Sequence, residues 1–250
     1  MALVNKAAPD GPAESRADYV YDPHVHTAET SACGHVPARD MVRHYQRAGF
    51  AGLVVTDHLS TATIAHVGGR SWIEIVDRFL GGFHEARDEG LKLGFDVFWG
   101  AEISFTQDPG SDYLVYGLAE GFLKDCPDLL SMGLRRFRSL IDASEALIFQ
   151  AHPFRPGSRR ARPALLDGIE VHNGNPRHNS HNDRARAFAE RHATACIAGS
   201  DAHKLEDVAR AGVVLPARVA DNRELVHRLK AVSAHDLYID GQSTHGAVAE

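Results

Sequence analysis

The chain has 250 residues, of which 44% are hydrophobic and 24% are charged, and its formal net charge is −6. This is the composition of an ordinary globular protein, and the length suffices for one large core. The acidic balance argues against a general nucleic-acid coating protein, because such proteins neutralise phosphates with basic side chains.

Targeting and disulfide signals are weak in this sequence. No apolar stretch reaches the length of a membrane span, and the N-terminus lacks the apolar segment of a signal peptide. The three cysteines, Cys33, Cys126 and Cys196, do not have the spacing of a disulfide framework. We therefore expect a cytoplasmic protein without a membrane partner. The oligomeric state is not indicated.

Residues 1–18 are rich in alanine, proline, glycine and charge, which predicts a flexible leader before a single folded domain at residues 19–240. In that domain, apolar runs typical of strands alternate with stretches of helical periodicity. The predicted strands are residues 20–21, 52–55, 95–99, 113–116, 146–149, 169–171, 196–198, 213–215 and 237–239. The predicted helices are residues 38–48, 71–89, 131–144, 182–192 and 222–232, and residues 241–250 are a loose tail.

The alternation of strands and helices favours an α/β fold with parallel pairing and right-handed crossovers. Seven or eight such units favour a closed barrel over an open, doubly wound sheet. No glycine-rich phosphate loop of the nucleotide-binding kind follows the first strand.

Metal-binding side chains follow five of the predicted strands. The segments are Asp-Pro-His-Val-His at 22–26, Thr-Asp-His at 56–58, Gly-Ala-Glu at 100–102, His-Pro-Phe at 152–154 and Ser-Asp-Ala-His at 200–203. Imidazoles and carboxylates are ligands for zinc, manganese and iron. The carboxyl ends of strands are also where α/β barrels carry their active sites. The repeated layout predicts a multinuclear metal site.

Two of these segments place ligands two residues apart. His24 and His26 share one face of a strand, so both imidazoles can reach one ion. Asp201 and His203 repeat the spacing. The alternative is a pair of polar side chains at a strand end.

The other candidate ligands stand alone in their segments. His58 follows the apolar run 52–55, and Glu102 is a carboxylate able to bridge two metals. The alternatives are a capping role for His58 or His152 and a salt bridge for Glu102.

The ordered set His-x-His, Thr-Asp-His, Gly-Ala-Glu, His-Pro-Phe, Glu-Val-x-Asn and Ser-Asp-Ala-His resembles the PHP (polymerase and histidinol phosphatase) family of metal-dependent phosphoesterases. The resemblance runs from about Tyr19 to Val214. It implies a distorted (β/α)7 TIM-like barrel with two or three divalent ions (zinc, manganese or iron) at the C-terminal mouth of the strands. The implied ligands are His24, His26, Glu102 and Asp201 for the first metal, Glu102 and His152 for the second, and His58 and His203 for the third.

Two family positions have no clear match. The third metal usually gains a ligand from the loop after the first His-x-His, where Glu29, Cys33 and His35 are candidates and Glu29 is preferred. The second metal usually has a further histidine, and here Asp112 is the nearest substitute. A carboxylate at that position favours manganese or iron.

A cluster of four arginines follows His152 in this acidic chain. Guanidinium groups suit phosphate oxygens, which predicts a small phosphorylated substrate with Arg155 as its nearest contact. For Arg159, Arg160 and Arg162, a solvated surface loop is an equal alternative.

A second polar loop, after the strand at 169–171, contains two further candidate substrate contacts, Arg177 and His178. The predicted catalytic residues are Glu102, Asp201, His203 and Arg155.

The predicted function is hydrolysis of a small phosphomonoester or nucleotide phosphate by metal-hydroxide attack on phosphorus. An amide or ester hydrolase on the same site is one alternative, and a non-catalytic module stabilised by one metal is another. Nucleic-acid ends are not the favoured substrate, because no stretch of basic and aromatic residues predicts a strand-binding groove.

Overall fold

Short runs of aliphatic and aromatic residues form eleven strands within residues 18–142, 145–192 and 194–244, which are the residues that the computed structural model describes. Runs such as Gly52–Val55 and Tyr113–Tyr116 are buried along their whole length, as in strands covered on both faces. The strands are β1 (Tyr19–Val25), β2 (Gly52–Val55), β3 (His58–Leu59), β4 (Asp96–Ile103), β5 (Tyr113–Tyr116), β6 (Leu147–Gln150), β7 (Gly168–Asn173), β8 (Ala195–Gly199), β9 (Ala211–Leu215), β10 (Leu237–Ile239) and β11 (Gln242–Ser243).

The strands make one mixed sheet in the order β11-β10-β9-β1-β2-β4-β5-β6-β7-β8, with β3 paired to β4. The sheet curls, because an isolated parallel bridge joins Val25 at the end of β1 to Ala202 just after β8. The backbone nitrogen of His26 also donates to the carbonyl oxygen of Ala202 at 3.0 Å. Two segments far apart in the sequence therefore meet where several metal-binding side chains lie.

The α/β class and the curled sheet agree with the sequence prediction, but the prediction of uniformly parallel pairing is wrong. β5 runs antiparallel to both β4 and β6, and β9 runs antiparallel to β1. The loop 104–112 between β4 and β5 contains no helix and is too short for the crossover that parallel strands require. The complete (β/α)7 barrel therefore stays a prediction.

Eight α-helices occur in the described residues, and they flank the sheet. They are α1 (Ala38–Arg47), α2 (Thr61–Val67), α3 (Trp72–Phe79), α4 (Gly81–Leu93), α5 (Glu120–Lys124), α6 (Gly133–Leu140), α7 (Asn182–His192) and α8 (Asn222–Ala231). None of the helices in these residues is both long enough and apolar enough to cross a membrane.

The helix predicted from residue 71 to about residue 89 is two helices in the structure. Ser71 caps the first, as expected, by accepting from the backbone nitrogen of Glu74 at 3.2 Å. The first helix ends at Phe79, with Leu80 as its C-cap, and α4 starts with Gly81 and Gly82. A Cβ on Gly82 would lie 2.0 Å from Thr27 Oγ1, so the break lets the chain pass close to the loop after β1.

Alternating side chains of the strands build two hydrophobic clusters. Leu53 and Val55 of β2 belong to one cluster with Met41 of α1, while Val54 belongs to the other with Leu225 of α8. This alternation follows from the two-residue repeat of a strand. Packing on both faces fixes the strand ends, and therefore the position of the side chains that follow them.

Three segments of the sequence prediction fall partly outside the described residues. Residues 1–17 of the predicted leader and 245–250 of the predicted tail are outside them, as are 143–144 of the predicted helix at 131–144. In the described part of the tail, Gln242–Ser243 pairs with β10 as β11. The division into leader, single domain and tail stays a prediction.

Candidate metal centre

The candidate ligands come together because most of them stand at the carboxyl ends of parallel strands. β5 is the exception, since it runs in the opposite direction and so brings its first residues to the same edge. The contributing positions are His24 and His26 at β1, His58 after β2, Glu102 at β4, Asp112 before β5, His152 after β6, and Asp201 and His203 after β8. The sequence prediction therefore named residues that do meet.

Four ligand atoms converge at the first group of side chains. Oε2 of Glu102 lies 3.4 Å from Nε2 of both His24 and His26. Oδ1 of Asp201 lies 3.1 Å from Nε2 of His26 and 3.5 Å from Nε2 of His24. His24, His26 and Glu102 are completely buried, and Asp201 is 2% exposed.

Apart from the ion-pair contacts among themselves and a contact of 2.7 Å from His58 Nδ1 to Glu102 Oε2, these converging atoms have no hydrogen-bond partner. Among the described residues, eight buried side-chain nitrogen or oxygen atoms lack a partner, and six of them belong to this centre. They are His24 Nε2, both ring nitrogens of His26, Glu102 Oε2, His152 Nδ1 and Asp201 Oδ1. Burying such atoms unpaired is costly, whereas a divalent cation would satisfy several at once. The donor set therefore fits a metal ion.

The electrostatics of the group favour charged carboxylates. Burial alone would raise the pKa of the Glu102 carboxyl, but the positive charges of His58 and His24 hold it well below its usual range. The pKa of Asp201 is likewise low despite burial, owing to His24 and His178. Ionised carboxylates beside imidazoles are ready to accept a cation.

A second group contains Glu102, His152 and Asp112, whose ligand atoms lie within 4.8 Å of one another. Oε1 of Glu102 is 3.0 Å from Nε2 of His152, and Oδ2 of Asp112 is 4.0 Å from the same nitrogen. Asp112 also accepts from Ser104 at 2.6 Å and from Arg155 at 2.8 Å. The structure thus places Asp112 beside Glu102 and His152, where the resemblance implied a further ligand of the second metal.

A third group is formed by His26, His58 and His203. Nε2 of His58 lies 3.4 Å from Nε2 of His203, and the ring of His26 stacks on both at centroid distances of 4.3 and 4.2 Å. Cys33 lies beside His58 and His203. Burial raises the pKa of the Cys33 thiol, but its contacts with these two histidines lower it to about 6.

The structure does not bring Glu29 to this group. Both of its carboxylate oxygens accept from the backbone nitrogen of Ala38, at 3.0 and 2.9 Å, at the start of α1. The free backbone nitrogens at the start of a helix are a common partner for a carboxylate. This explains why Glu29, the ligand preferred from the sequence, lies away from the third group. His35 lines the same pocket as Cys33.

Two residues of β7 support the ligands, and the sequence prediction assigned neither a role. Glu170 accepts from His24 Nδ1 at 2.8 Å and from the backbone nitrogen of His152 at 2.8 Å. Asn173 donates to Glu170 at 3.0 Å and to Asp201 at 3.2 Å. The motif Glu-Val-x-Asn contained both residues, and their positions inside a strand gave no separate signal.

His152 and Asp201 have backbone φ angles of 27° and 52°, in the left-handed region that side chains other than glycine rarely adopt. Such conformations persist only where the surroundings impose them, and they concentrate at functional sites. Hydrogen bonds to Glu170 and Asn173 hold the two residues in place. The strain is therefore consistent with a functional role for both.

A pocket of about 350 Å³ opens beside the first and third groups, which contribute Asp201, His58 and His203 to its lining. Its lining residues are Cys33, His35, His58, Arg155, Asn175, Arg177, His178, Asp201, His203 and Lys204. Three cationic side chains therefore surround the candidate centre. Lys204 was not singled out from the sequence, although it directly follows the Ser-Asp-Ala-His segment.

Arg177 and His178, predicted as substrate contacts, both reach this pocket. Arg177 forms two hydrogen bonds to Asp207, at 2.5 and 2.6 Å, so its guanidinium is already engaged. Nε2 of His178 lies 3.3 Å from Oδ2 of Asp201. His178 therefore stands between the pocket and the candidate ligands.

The remaining arginines of the basic loop do not line this pocket. Arg159, Arg160 and Arg162 line a different cavity of about 280 Å³ together with Arg135. The guanidinium of Arg160 lies 5.1 Å from the ring centroid of Phe154. Only Arg155 of the cluster reaches the candidate centre in the described residues.

Comparison with known proteins supports the family resemblance. A family model described as PHP-associated matches residues 179–233. None of the curated proteins compared with the chain matches it.

Several solved structures share the fold. A two-domain protein from Bacteroides vulgatus, named for a predicted PHP-like metal-dependent phosphoesterase, is 18% identical with a TM-score of 0.64, covering 96% of this chain and 70% of that one. PsfC from Pseudomonas syringae is 20% identical with a TM-score of 0.62, covering 91% and 93%. A protein from Bifidobacterium adolescentis, provisionally named a metal-dependent phosphoesterase, is 17% identical with a TM-score of 0.50, covering 86% and 97%. These structures show a shared fold, and the family-model match agrees with the ordered motifs in supporting the resemblance to the PHP family.

Proposed function

We propose that this protein is a metal-dependent phosphoesterase that hydrolyses a small phosphomonoester or a nucleotide phosphate. The observation that carries the proposal is the convergence of four buried ligand atoms without a hydrogen-bond partner, from His24, His26, Glu102 and Asp201. A structural metal site is normally closed, whereas this group adjoins a solvent-accessible pocket. An open site suits a substrate.

Different side chains of the centre would bind each of two or three divalent ions. His24, His26, Glu102 and Asp201 would hold the first, Glu102 with His152 and Asp112 the second, and His58 with His203 the third. Bound in this way, divalent metals polarise a phosphoryl oxygen and lower the pKa of water toward neutrality. Glu170 would keep His24 oriented by accepting its Nδ1 proton.

The charge around the pocket favours a phosphorylated substrate over an uncharged amide or ester. Arg155 and Lys204 lie at the pocket, and guanidinium and ammonium groups bind phosphate oxygens strongly. Arg155 reaches Asp112 at 2.8 Å, which places its positive charge directly beside the second group. Arg155 would thus stabilise negative charge that develops on the phosphoryl group.

A proton must reach the leaving oxygen when the phosphoester bond breaks. His178 lies at the pocket, 3.3 Å from Asp201, and His203 lies on the other side of the same carboxylate at 3.4 Å. His203 is assigned to the third metal, so His178 is the imidazole at the pocket that is free to carry this proton. Variants of His178, assayed with substrates whose leaving groups differ in acidity, would test whether it is the donor.

The test uses the full chain, stripped of metal and reloaded with manganese, zinc or iron. The substrates are a panel of phosphomonoesters and nucleotides, with amides and carboxylic esters as a second panel. We expect turnover of phosphoesters that a chelator abolishes. Turnover confined to amides or esters would support the alternative hydrolase, and no turnover with a single bound ion would support a non-catalytic module.

Two variants of the centre sharpen this test. Glu102→Gln and Asp201→Asn keep the side-chain shape but remove a ligand charge, and we expect each to lower kcat/KM by more than about 100-fold, because outer partners of metal ligands already contribute about 10- to 100-fold. Glu190→Gln, on the exposed side of α7, is the matched control and should behave as wild type. Wild-type activity in both ligand variants would refute the mechanism.

A further inference from the structure

The loop after β1 places a sulfur atom next to two histidines of the candidate centre. The side chain of Cys33 lies beside the imidazoles of His58 and His203. All three residues line the same pocket. The preferred carboxylate of this loop, Glu29, is engaged at the start of α1.

The two histidines face each other with the separation of ligands on one ion. Nδ1 of His203 is 2.8 Å from the carbonyl oxygen of Asp201, so this nitrogen carries the proton and Nε2 keeps its lone pair. That lone pair lies 3.4 Å from Nε2 of His58. Two nitrogens bound tetrahedrally at about 2.0–2.1 Å from zinc are about 3.3–3.4 Å apart.

A buried imidazole without a hydrogen-bond partner lies at the same place. His26 is completely buried, and neither of its ring nitrogens has a hydrogen-bond partner among the described residues. Its ligand atom lies within 4.8 Å of those of His58 and His203. Cys33 lines the pocket that His58 and His203 of this group also line, so its thiol has other donors close by.

Hydrogen bonds on both sides of Cys33 fix its loop against the segments that carry the two histidines. The Ser31 hydroxyl donates to Asp57 at 2.7 Å and accepts from the backbone nitrogen of His58 at 3.2 Å. The backbone nitrogen of His35 donates to the carbonyl oxygen of His203 at 2.8 Å. The position of the sulfur therefore follows from the fold of the loop.

We propose that Cys33 is a metal ligand and that its sulfur, with Nε2 of His58 and Nε2 of His203, holds a thiophilic divalent cation of the zinc class. The inference rests on the metal site of the proposed function, and it adds a thiolate ligand to the metal position held by His58 and His203. Binding replaces the thiol proton, which is released to solvent. A soft sulfur ligand favours zinc over manganese, whereas the carboxylates of the second group favour the harder ions.

The first experiment loads the full-length protein with cobalt(II) and records its near-ultraviolet absorption. A thiolate bound to cobalt gives a sulfur-to-metal charge-transfer band, which nitrogen and oxygen ligands do not give. We expect the band in the wild type and in Cys196→Ser. Cys196 is buried in the hydrophobic cluster that contains Val54 and Leu225. We expect its loss in Cys33→Ser and in Cys33→Asp.

A second measurement separates loss of the ligand from loss of the fold. Cys33→Asp should still bind its ions but should shift preference from zinc toward manganese in a competition titration. X-ray absorption of the zinc-loaded wild type should contain a sulfur neighbour at about 2.3 Å that is absent from Cys33→Asp. Unchanged zinc preference in this variant would contradict the assignment.

The two proposals fail in different ways. A wild-type protein that hydrolyses phosphoesters with bound metal but has no cobalt–sulfur band would overturn the role of Cys33 alone. A band that persists in Cys33→Ser would do the same. A band that depends on Cys33, in a protein without phosphoesterase activity, would sustain this inference and overturn the proposed function.

Discussion

Oε1 of Glu170 lies 2.8 Å from Nδ1 of His24, and both residues are at most 1% exposed to solvent. Because the carboxylate accepts the Nδ1 proton, Nε2 is the ring nitrogen that faces Glu102 and Asp201 and that a metal ion would take. The other oxygen of Glu170 accepts from the backbone nitrogen of His152 at 2.8 Å. One carboxylate of β7 therefore orients ligands of two candidate metal positions.

Replacing this carboxylate tests its role in metal binding. Glu170→Gln keeps the side-chain volume but offers His24 a weaker, uncharged acceptor, so we expect metal affinity to fall roughly 10- to 100-fold. The measurement is a competition titration of the apoprotein against a chelating dye. Glu190→Gln serves as the control, and wild-type affinity in Glu170→Gln would show that Glu170 does not orient the ligand.

The contrast between Glu170 and Glu102 explains how far sequence could predict this site. Glu102 is preceded by an apolar run and its segment matches a recognisable pattern, so its place at a strand end was predictable. Glu170 lies within β7 among apolar residues, and its side-chain direction depends on an irregular register between residues 170 and 172. A local pattern does not carry that information.

Strand direction limited the prediction of the fold in the same way. The apolar runs located β5 well, with residues 113–116 found as predicted. Its antiparallel direction follows from the short, helix-free loop at 104–112, and periodicity does not report the direction of a strand. Asp112 was nevertheless found as a candidate, because only its position before the strand was needed.

Arg155 and Arg160 offer a matched pair for testing substrate binding. Arg155 lines the pocket at the candidate centre, whereas Arg160 lies over Phe154 and lines a separate cavity. We expect Arg155→Ala to lower kcat/KM for a phosphorylated substrate by roughly 10- to 100-fold, the value of a hydrogen bond to a charged group. Arg160→Ala should change it by about twofold or less. Equal effects would show that Arg155 has no special contact.

Asp207 gives a prediction about pH. Burial raises the pKa of the Asp207 carboxyl, but hydrogen bonds from Arg177 and from the backbone nitrogens of His203 and Lys204 hold it below its usual value. A depressed pKa means that the ionised form stabilises the folded state. This stabilisation is complete above the unfolded-state pKa of about 3.9 and is lost as the pH falls through the lower folded-state value.

Asp207→Asn should therefore lower the free energy of unfolding by about 1–3 kcal/mol at neutral pH. The difference from wild type should shrink as the pH falls below about 4. Denaturation of the chelator-treated protein across pH measures this effect without a contribution from metal. Glu206→Gln is the control, since Glu206 is exposed and 3.5 Å from Arg177, and exposed pairs contribute about 0–1 kcal/mol. A difference that grows toward low pH would contradict the assignment.

The first two glycines of α4 allow a comparison between adjacent positions. A Cβ on Gly82 would lie 2.0 Å from Thr27 Oγ1 and 2.9 Å from both Asp57 Oδ2 and Thr30 Oγ1, whereas nothing lies within 4 Å of one on Gly81. The crowded side is the loop that leads from β1 to Cys33. Gly82→Ala should thus push this loop away from the candidate centre.

We expect Gly82→Ala to destabilise the protein by about 1–3 kcal/mol, as overpacking of a buried site does. Gly81→Ala should be neutral or stabilising by up to about 1 kcal/mol, because alanine favours the helix more than glycine does. Chemical denaturation measures both variants, and metal titration should reveal weaker binding only in Gly82→Ala. Equal stability of the two variants would mean that the loop after β1 yields to the added methyl group, so that its position is not fixed by the start of α4.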